Sequence, residues 1–204
     1  MISCDSAIHP IGQLVLAHGA GAGKDSDFMQ QMSDALVAEN VSCIRFNFPY
    51  MEKSIALGKR HPPNRMPLLL ESYESVLAEL DRELPVFVGG KSMGGRVASM
   101  LFENSIARGC ICLGYPFHPP GKPLKLRVEH LLEVTKPMLI LQGERDTFGN
   151  RNEIPEYDLP STIRCQFLED GDHSFKPRKA SGFSQIQHIE SAAKLISKFI
   201  KEQL

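Results

Sequence analysis

The stretch from Val86 to Phe102 constrains this chain most. Val86-Phe87-Val88 runs into Gly89-Gly90-Lys91-Ser92-Met93-Gly94-Gly95, and Arg96-Val97-Ala98-Ser99-Met100-Leu101-Phe102 continues with helical character. An apolar, β-branched run that breaks into glycines and resumes as a helix reads as a strand, a very tight turn and a returning helix. Glycine is needed at 90 and 94 because the turn leaves no room for a Cβ on either side of the serine. The strain of such a turn pushes the Ser92 hydroxyl out beyond the strand. The N-terminal end of the helix then points its partial positive charge at the same spot. By itself Gly-x-Ser-x-Gly arises by chance in roughly one chain in ten of this length. Its meaning therefore depends on what the other strand ends carry.

The rest of the chain repeats the alternation. Gln13–Ala17 is a short apolar strand that runs into the glycine-rich loop His18–Lys24. Asp25, Ser26 or Asp27 can cap a helix carrying Phe28, Met32, Ala35 and Leu36 on one face, with Asn40 as its stop. Val41–Phe48 is the second strand, ended by Pro49. Residues 50–66, with Pro62 and Pro63, read as a long surface loop. Pro67 suits a first helical position, and Leu69, Tyr73, Val76, Leu77 and Leu80 form the stripe behind it. After the Ser92 turn, strands are expected at Gly109–Tyr115, Met138–Gln142 and Ile163–Leu168, with a short helix over Leu126–Val134. A closing helix carries Ile186, Ile189, Ala193, Ile196 and Ile200. This pattern specifies an α/β chain: an open, mostly parallel sheet of about six strands with helices on both faces. Its 204 residues suit one domain spanning 1–204.

Composition narrows the function. Lysine and arginine number 23 against 24 acidic residues, a net charge of −1, so no basic excess points to nucleic acid or a membrane surface. The apolar runs are far shorter than a membrane span, and the N-terminus lacks the pattern of a signal peptide. Five cysteines without a paired framework suggest reduced thiols and a cytoplasmic protein. Cys110 and Cys112 share one strand face. With no second Cys or His pair nearby they read as packed thiols, and no metal or cofactor is expected.

In an open parallel sheet, ligands bind at the carboxyl ends of the strands. Every glycine-bearing polar segment of this chain falls at such an end: 18–23, 90–94, 143–149 and 171–173. They supply Ser92, then Asp146, then His173. A serine hydroxyl is a poor nucleophile until a base takes its proton, and neutral imidazole does so near pH 7. A carboxylate fixes the imidazole tautomer and stabilises the imidazolium as it forms. Asp170 and Asp172 are rival acids, but side chains adjacent to His173 in an extended loop point away from it. His118 is a rival base that precedes the acid in the chain. The backbone N–H groups of Ala20 and Met93 are the expected oxyanion donors. His18 is expected to serve structure rather than catalysis, and His18, Tyr50 and His118 are candidates for contact with substrate. The loop Gly19–Lys24 also suggests a phosphate cradle. However, a Walker A motif needs glycine at 18 and Ser or Thr at 25, where His18 and Asp25 stand, and a dinucleotide fingerprint needs glycine at 24, where Lys24 stands.

Nucleophile, acid, histidine is the chain order of α/β-hydrolases. The segments Ala17–Gly21, Arg45–Tyr50, Gly89–Arg96, Tyr115–Lys122, Gln142–Asp146 and Asp170–His173 resemble a family of small α/β-hydrolases related to the dienelactone hydrolases. The resemblance implies an α/β-hydrolase fold and a Ser92–Asp146–His173 triad. A lid domain has no room, since only residues 117–136 lie where one is usually inserted. A dienelactone hydrolase proper would carry a cysteine at position 92. The expected activity is therefore a serine hydrolase cleaving carboxylic ester or thioester bonds of a small or exposed substrate through an acyl-enzyme. The alternative is an interaction or ligand-binding module without significant turnover, since hydrolase-like domains of related type also serve as interaction modules in a chromatin-modifying complex. Lys53, Lys59, Arg60 and Arg65 form either a basic approach for an anionic substrate or a solvated loop.

Overall fold

The computed structural model describes residues 2–204. Its strands are β1 (Ile2–Asp5), β2 (Gly12–Ala17), β3 (Val41–Phe46), β4 (Val86–Lys91), β5 (Cys110–Leu113), β6 (Met138–Gly143) and β7 (Ile163–Leu168). The helices are α1 (Asp27–Ala38), α2 (Pro49–Leu57), α3 (Met66–Ala78), α4 (Met93–Leu101) and α5 (Gln185–Lys201). One sheet runs β1-β3-β2-β4-β5-β6-β7, parallel from β3 to β7, with β1 antiparallel along the edge of β3. The sheet has seven strands rather than six.

The extra strand is β1. Its four residues are only partly buried, so it has no apolar run to announce it. It is held by its pairing with β3 and by Arg45, which is almost fully buried and donates to Asp5 Oδ2 through Nη2 at 2.8 Å. The second departure is α2, in the segment read as loop. Pro49 takes its first turn, and Gly58, at φ 58°, ends it in the left-handed region. Of its nine residues only Tyr50 is fully buried, so no helical stripe shows in the sequence. Around Leu126–Val134 the chain makes only a 3₁₀ turn, Glu129–Glu133. That turn is the one helical piece between β5 and β6, and no lid domain covers the strand ends there.

The central strands are buried on both faces, and their alternate residues feed two cores. Val15 and Ala17 face the core beneath α3 and α4, together with Tyr73, Val97 and Phe102. Leu14 and Leu16 face the other, with Met32, Ile189, Ile196 and Phe199 from α1 and α5. Tyr73 pins α3 to the sheet. Its hydroxyl lies 2.6 Å from the carbonyl of Val15 and accepts the N–H of Gly89 at 2.9 Å, so it ties β2 to β4 just before the Ser92 turn.

Candidate active site

At the end of β4 the backbone turns at Ser92 with φ 51° and ψ −113°, a conformation that costs a non-glycine residue of the order of 1–3 kcal/mol. Its neighbours show why they must be glycine. A Cβ on Gly90 would stand 2.4 Å from the carbonyl carbon of Gly94, and one on Gly94 would stand 2.4 Å from the oxygen of Ala17. The turn therefore brings α4 directly against the end of β2. Ser92 Oγ lies 2.8 Å from His173 Nε2, and His173 Nδ1 lies 2.8 Å from Asp146 Oδ2. The three residues come from three strand ends and meet in one hydrogen-bonded line.

Asp146 is fully buried, and its carboxylate is held on both oxygens. Oδ1 accepts the N–H of Phe148 at 2.8 Å, and Oδ2 accepts from the side-chain amide of Gln142 at 2.9 Å as well as from His173. Gln142 also accepts the N–H of Tyr115 at 2.8 Å and donates toward the carbonyl of Gly149 at 2.9 Å. The ring of Phe148 lies against that of His173, centroids 4.2 Å apart. The rival acids are occupied elsewhere. Asp172 Oδ1 accepts the N–H groups of Ser174 at 2.7 Å and Lys176 at 3.0 Å. Asp170 is clamped by Arg178, whose N–H and guanidinium both donate to it, and its carboxyl is pushed down to about 2.

A cavity of about 360 Å³ opens beside Ser92 and His173. Gly19–Ala22 form one wall, Phe28 and Met29 of α1 another, and Phe148 and Lys91 complete it. The N–H groups of Ala20 and Met93 donate to no acceptor among the described residues. His18, Tyr50 and His118 do not line this cavity. His18 is fully buried. Its Nε2 accepts the N–H of Phe48 at 3.1 Å, so its Nδ1–H donates to the carbonyl of Gly19 at 2.7 Å, and burial holds its pKa below the ordinary value. The Tyr50 hydroxyl reaches the carbonyls of Gly19 at 3.2 Å and Ala20 at 3.1 Å. Both side chains brace the glycine loop from behind. His118 lies 2.8 Å from Glu153 Oε2, an ion-pair distance that joins the loop after β5 to the one after β6.

The family model of the alpha/beta hydrolase domain matches residues 10–201. The chain belongs to this family. Solved structures share the hydrolase's fold at low identity. A dienelactone hydrolase from Anabaena variabilis superposes with a TM-score of 0.73 at 20% identity, covering 100% of this chain and 91% of its own. Est1E from Butyrivibrio proteoclasticus, with ferulic acid bound, gives 0.73 at 15% identity, with coverage of 100% and 94%. An α/β serine hydrolase without a lid from Xanthomonas campestris gives 0.70 at 13% identity, with coverage of 100% and 88%.

Two residues of the candidate site were not singled out by sequence reasoning. Gln142 looks like the polar end of an apolar strand. Lys91 looks like a spacer inside the Gly-x-Ser-x-Gly pattern. Lys91 is buried, and its ammonium donates to the carbonyl of His173 at 2.6 Å and lies 5.6 Å from the centre of the Phe28 ring. Burial pushes its pKa down to about 8, against the pull of the Asp146 and Asp172 carboxylates. Lys24, the basic end of the glycine loop, bonds Ser3 Oγ at 2.7 Å and Asp25 at 2.9 Å and so secures β1. Lys53, Lys59, Arg60 and Arg65 are exposed on and after α2, outside the cavity wall.

Proposed function

We propose that this protein is a serine hydrolase that cleaves carboxylic ester or thioester bonds of a small or exposed substrate through an acyl-enzyme. The observation that carries this reading is the line Ser92 Oγ, His173 Nε2, Nδ1, Asp146 Oδ2, with 2.8 Å at each hydrogen bond, on a strained turn beside an open cavity. Asp146 accepts from Nδ1–H and so leaves Nε2 as the free base. His173 takes the Ser92 proton as Oγ attacks the carbonyl carbon. The charge that develops on the carbonyl oxygen falls to the N–H groups of Ala20 and Met93, which have no acceptor among the described residues. Protonated His173 then gives its proton to the leaving alkoxide or thiolate. Water, deprotonated by the same Nε2, releases the acid and restores Ser92.

His18 and Tyr50 act in this reading behind the oxyanion loop, fixing the carbonyls of Gly19 and Ala20 so that the Ala20 N–H faces the cavity. His118 braces the acid loop through Glu153. The site draws on segments from Ala20 to His173, which supports treating 1–204 as one catalytic domain.

The test is labelling with a fluorophosphonate, with mass spectrometry to locate the modified residue. The wild-type protein is expected to label at Ser92 and Ser92→Ala not at all. Absence of labelling in folded wild-type protein overturns the reading and favours an interaction module. Asp146→Asn and His173→Ala are expected to lose on the order of 10³-fold or more in kcat on an ester that the wild type turns over. Near-normal turnover in either variant removes that residue from the mechanism.

A further inference from the structure

Lys91 is joined covalently to Ser92, and its side chain reaches back to His173. In β4 the alternation that turns Phe87 toward α1 and α5 places Lys91 on the same side of the sheet. There its ammonium donates to the backbone carbonyl of His173 at 2.6 Å, with the Phe28 ring of α1 over it. Among the described residues no carboxylate comes within ion-pair distance of this ammonium. A buried ammonium without a carboxylate partner is costly, and an apolar side chain would close the end of a strand at less cost. The compensation is one short, charge-assisted bond to the residue that carries the imidazole. Gly114, just after β5, makes the bond possible. With φ 63°, a Cβ on it would stand 2.9 Å from the His173 carbonyl oxygen, 3.0 Å from Lys91 Nζ and 3.3 Å from His173 Nδ1. Ammonium, carbonyl and imidazole thus converge on one point that only a glycine leaves open.

The loop that carries His173 needs such a hold. Asp170 at φ 52° and Phe175 at φ 64° bracket it, both left-handed without being glycine, and surrounding contacts must sustain such conformations. Its neighbouring carbonyls are held from the loop after β6 and from α5. That of Gly171 accepts the N–H of Arg145 at 2.9 Å, that of Ser174 accepts from the Gln185 side chain at 2.8 Å, and that of Phe175 lies 2.8 Å from His188 Nδ1. The His173 carbonyl is the one tied to the strand of Ser92. Ser92 and His173 are therefore linked twice. One link runs from Oγ to Nε2 at 2.8 Å, and the other runs from backbone to backbone through the Lys91 side chain. Attack on a substrate breaks the first link. The second then keeps the imidazole within reach of the reacting atoms.

We propose that Lys91 is a positioning residue, whose ammonium holds the His173 backbone so that the imidazole stays in line with Ser92 throughout the reaction. The role in turnover rests on the hydrolysis proposed above. The groups that face the ammonium are the Asp146 and Asp172 carboxylates and His173, with the Phe28 ring from α1. Burial holds its pKa at about 8 against the pull of the two carboxylates, so the charge-assisted bond weakens as the pH passes that value. The rate of fluorophosphonate labelling is measured between about pH 6.5 and 9.5, at equal folded fraction, for the wild type, Lys91→Met and Lys91→Arg. Lys91→Met should label about 10–100-fold more slowly at pH 7, and on an ester that is turned over kcat should fall while KM stays within about threefold. The wild-type rate should decline as the pH rises through 8. Neither variant should show that decline, since methionine carries no proton there and a guanidinium keeps its own. A wild-type rate in Lys91→Met, or the same decline in a variant, overturns the proposal. If Lys91→Met does not fold, the Lys91→Arg profile decides. The His173 Nδ1–H resonance reads the tie without any reaction, and its exchange with water should be at least about tenfold faster in Lys91→Met. Faster exchange with no labelling of the wild type means that the hydrolysis falls and the tie stands. Equal exchange overturns the tie whatever the labelling.

Discussion

At Gln142 a single buried amide joins two loops, the one after β5 and the one after β6. It supports Asp146 Oδ2, takes the N–H of Tyr115 and reaches the carbonyl of Gly149. Gln142→Leu keeps the volume but strands those buried groups. It should destabilise the protein by about 1–3 kcal/mol per unsatisfied group, read from urea midpoints, and lower kcat more than it changes KM. Asp146 and Gly149 follow Gln142 within seven residues, but Tyr115 comes from a loop that only the sheet brings near, and a lone amide ending an apolar run announces none of them. Ser92, Asp146 and His173 were legible for the opposite reason: each lies within three residues of a glycine at a strand end, and the fold brings strand ends together. Lys91 gives a test through pH. Its folded pKa of about 8 lies below the ordinary 10.5. Below pH 8 both the native and the unfolded chain carry this proton. Between 8 and 10.5 the unfolded chain binds more of it, so this group adds stability as pH rises through that window and loses it as pH falls back through 8. The gain is on the order of 3 kcal/mol by pH 10.5. The stability difference between wild type and Lys91→Met should therefore shift in favour of the wild type between pH 7.5 and 10.5. A difference that stays constant would mean that the lysine is not desolvated.

Among the elements, those with long apolar patterns were read correctly and those without were not. The stripe of α3 and the apolar run Met138–Leu141 of β6 are set by burial, and burial writes its pattern into the sequence. The strand β1 and the helix α2 bury too little to do so. They are held by Arg45 with Asp5 and by the Pro49 and Gly58 termini. Tyr73 carries more than its share of α3. Tyr73→Phe leaves the Gly89 N–H without its partner inside the core. It should lower the urea midpoint by the equivalent of about 1–3 kcal/mol without changing the m-value. Because Gly89 precedes the Ser92 turn, the same variant should reduce fluorophosphonate labelling at equal folded fraction. Unchanged labelling would show that the elbow holds its shape without this tie.

At the scale of the whole molecule, the open strand ends govern behaviour toward substrate. Between β5 and β6 the described chain offers a 3₁₀ turn and no covering helical layer. If the proposed hydrolysis is right, turnover of a short-chain ester should follow simple saturation, with no jump in rate when the substrate passes its solubility limit into micelles. A jump would mean that some segment closes over the site. The overall alternation of strand and helix was plain in the chain. The depth and walls of the cavity were not, since Phe28, Lys91 and Phe148 lie far apart in sequence and meet only in the folded protein. The left-handed φ at Ser92 bears on how such a protein can be improved. Ser92→Gly relieves a strain of about 1–3 kcal/mol and loses about 0.5–1 kcal/mol to the freer unfolded chain, so it should melt a few degrees higher than the wild type. A selection for heat resistance alone would then favour discarding the proposed nucleophile, and thermostable variants should be sought with turnover scored in the same screen.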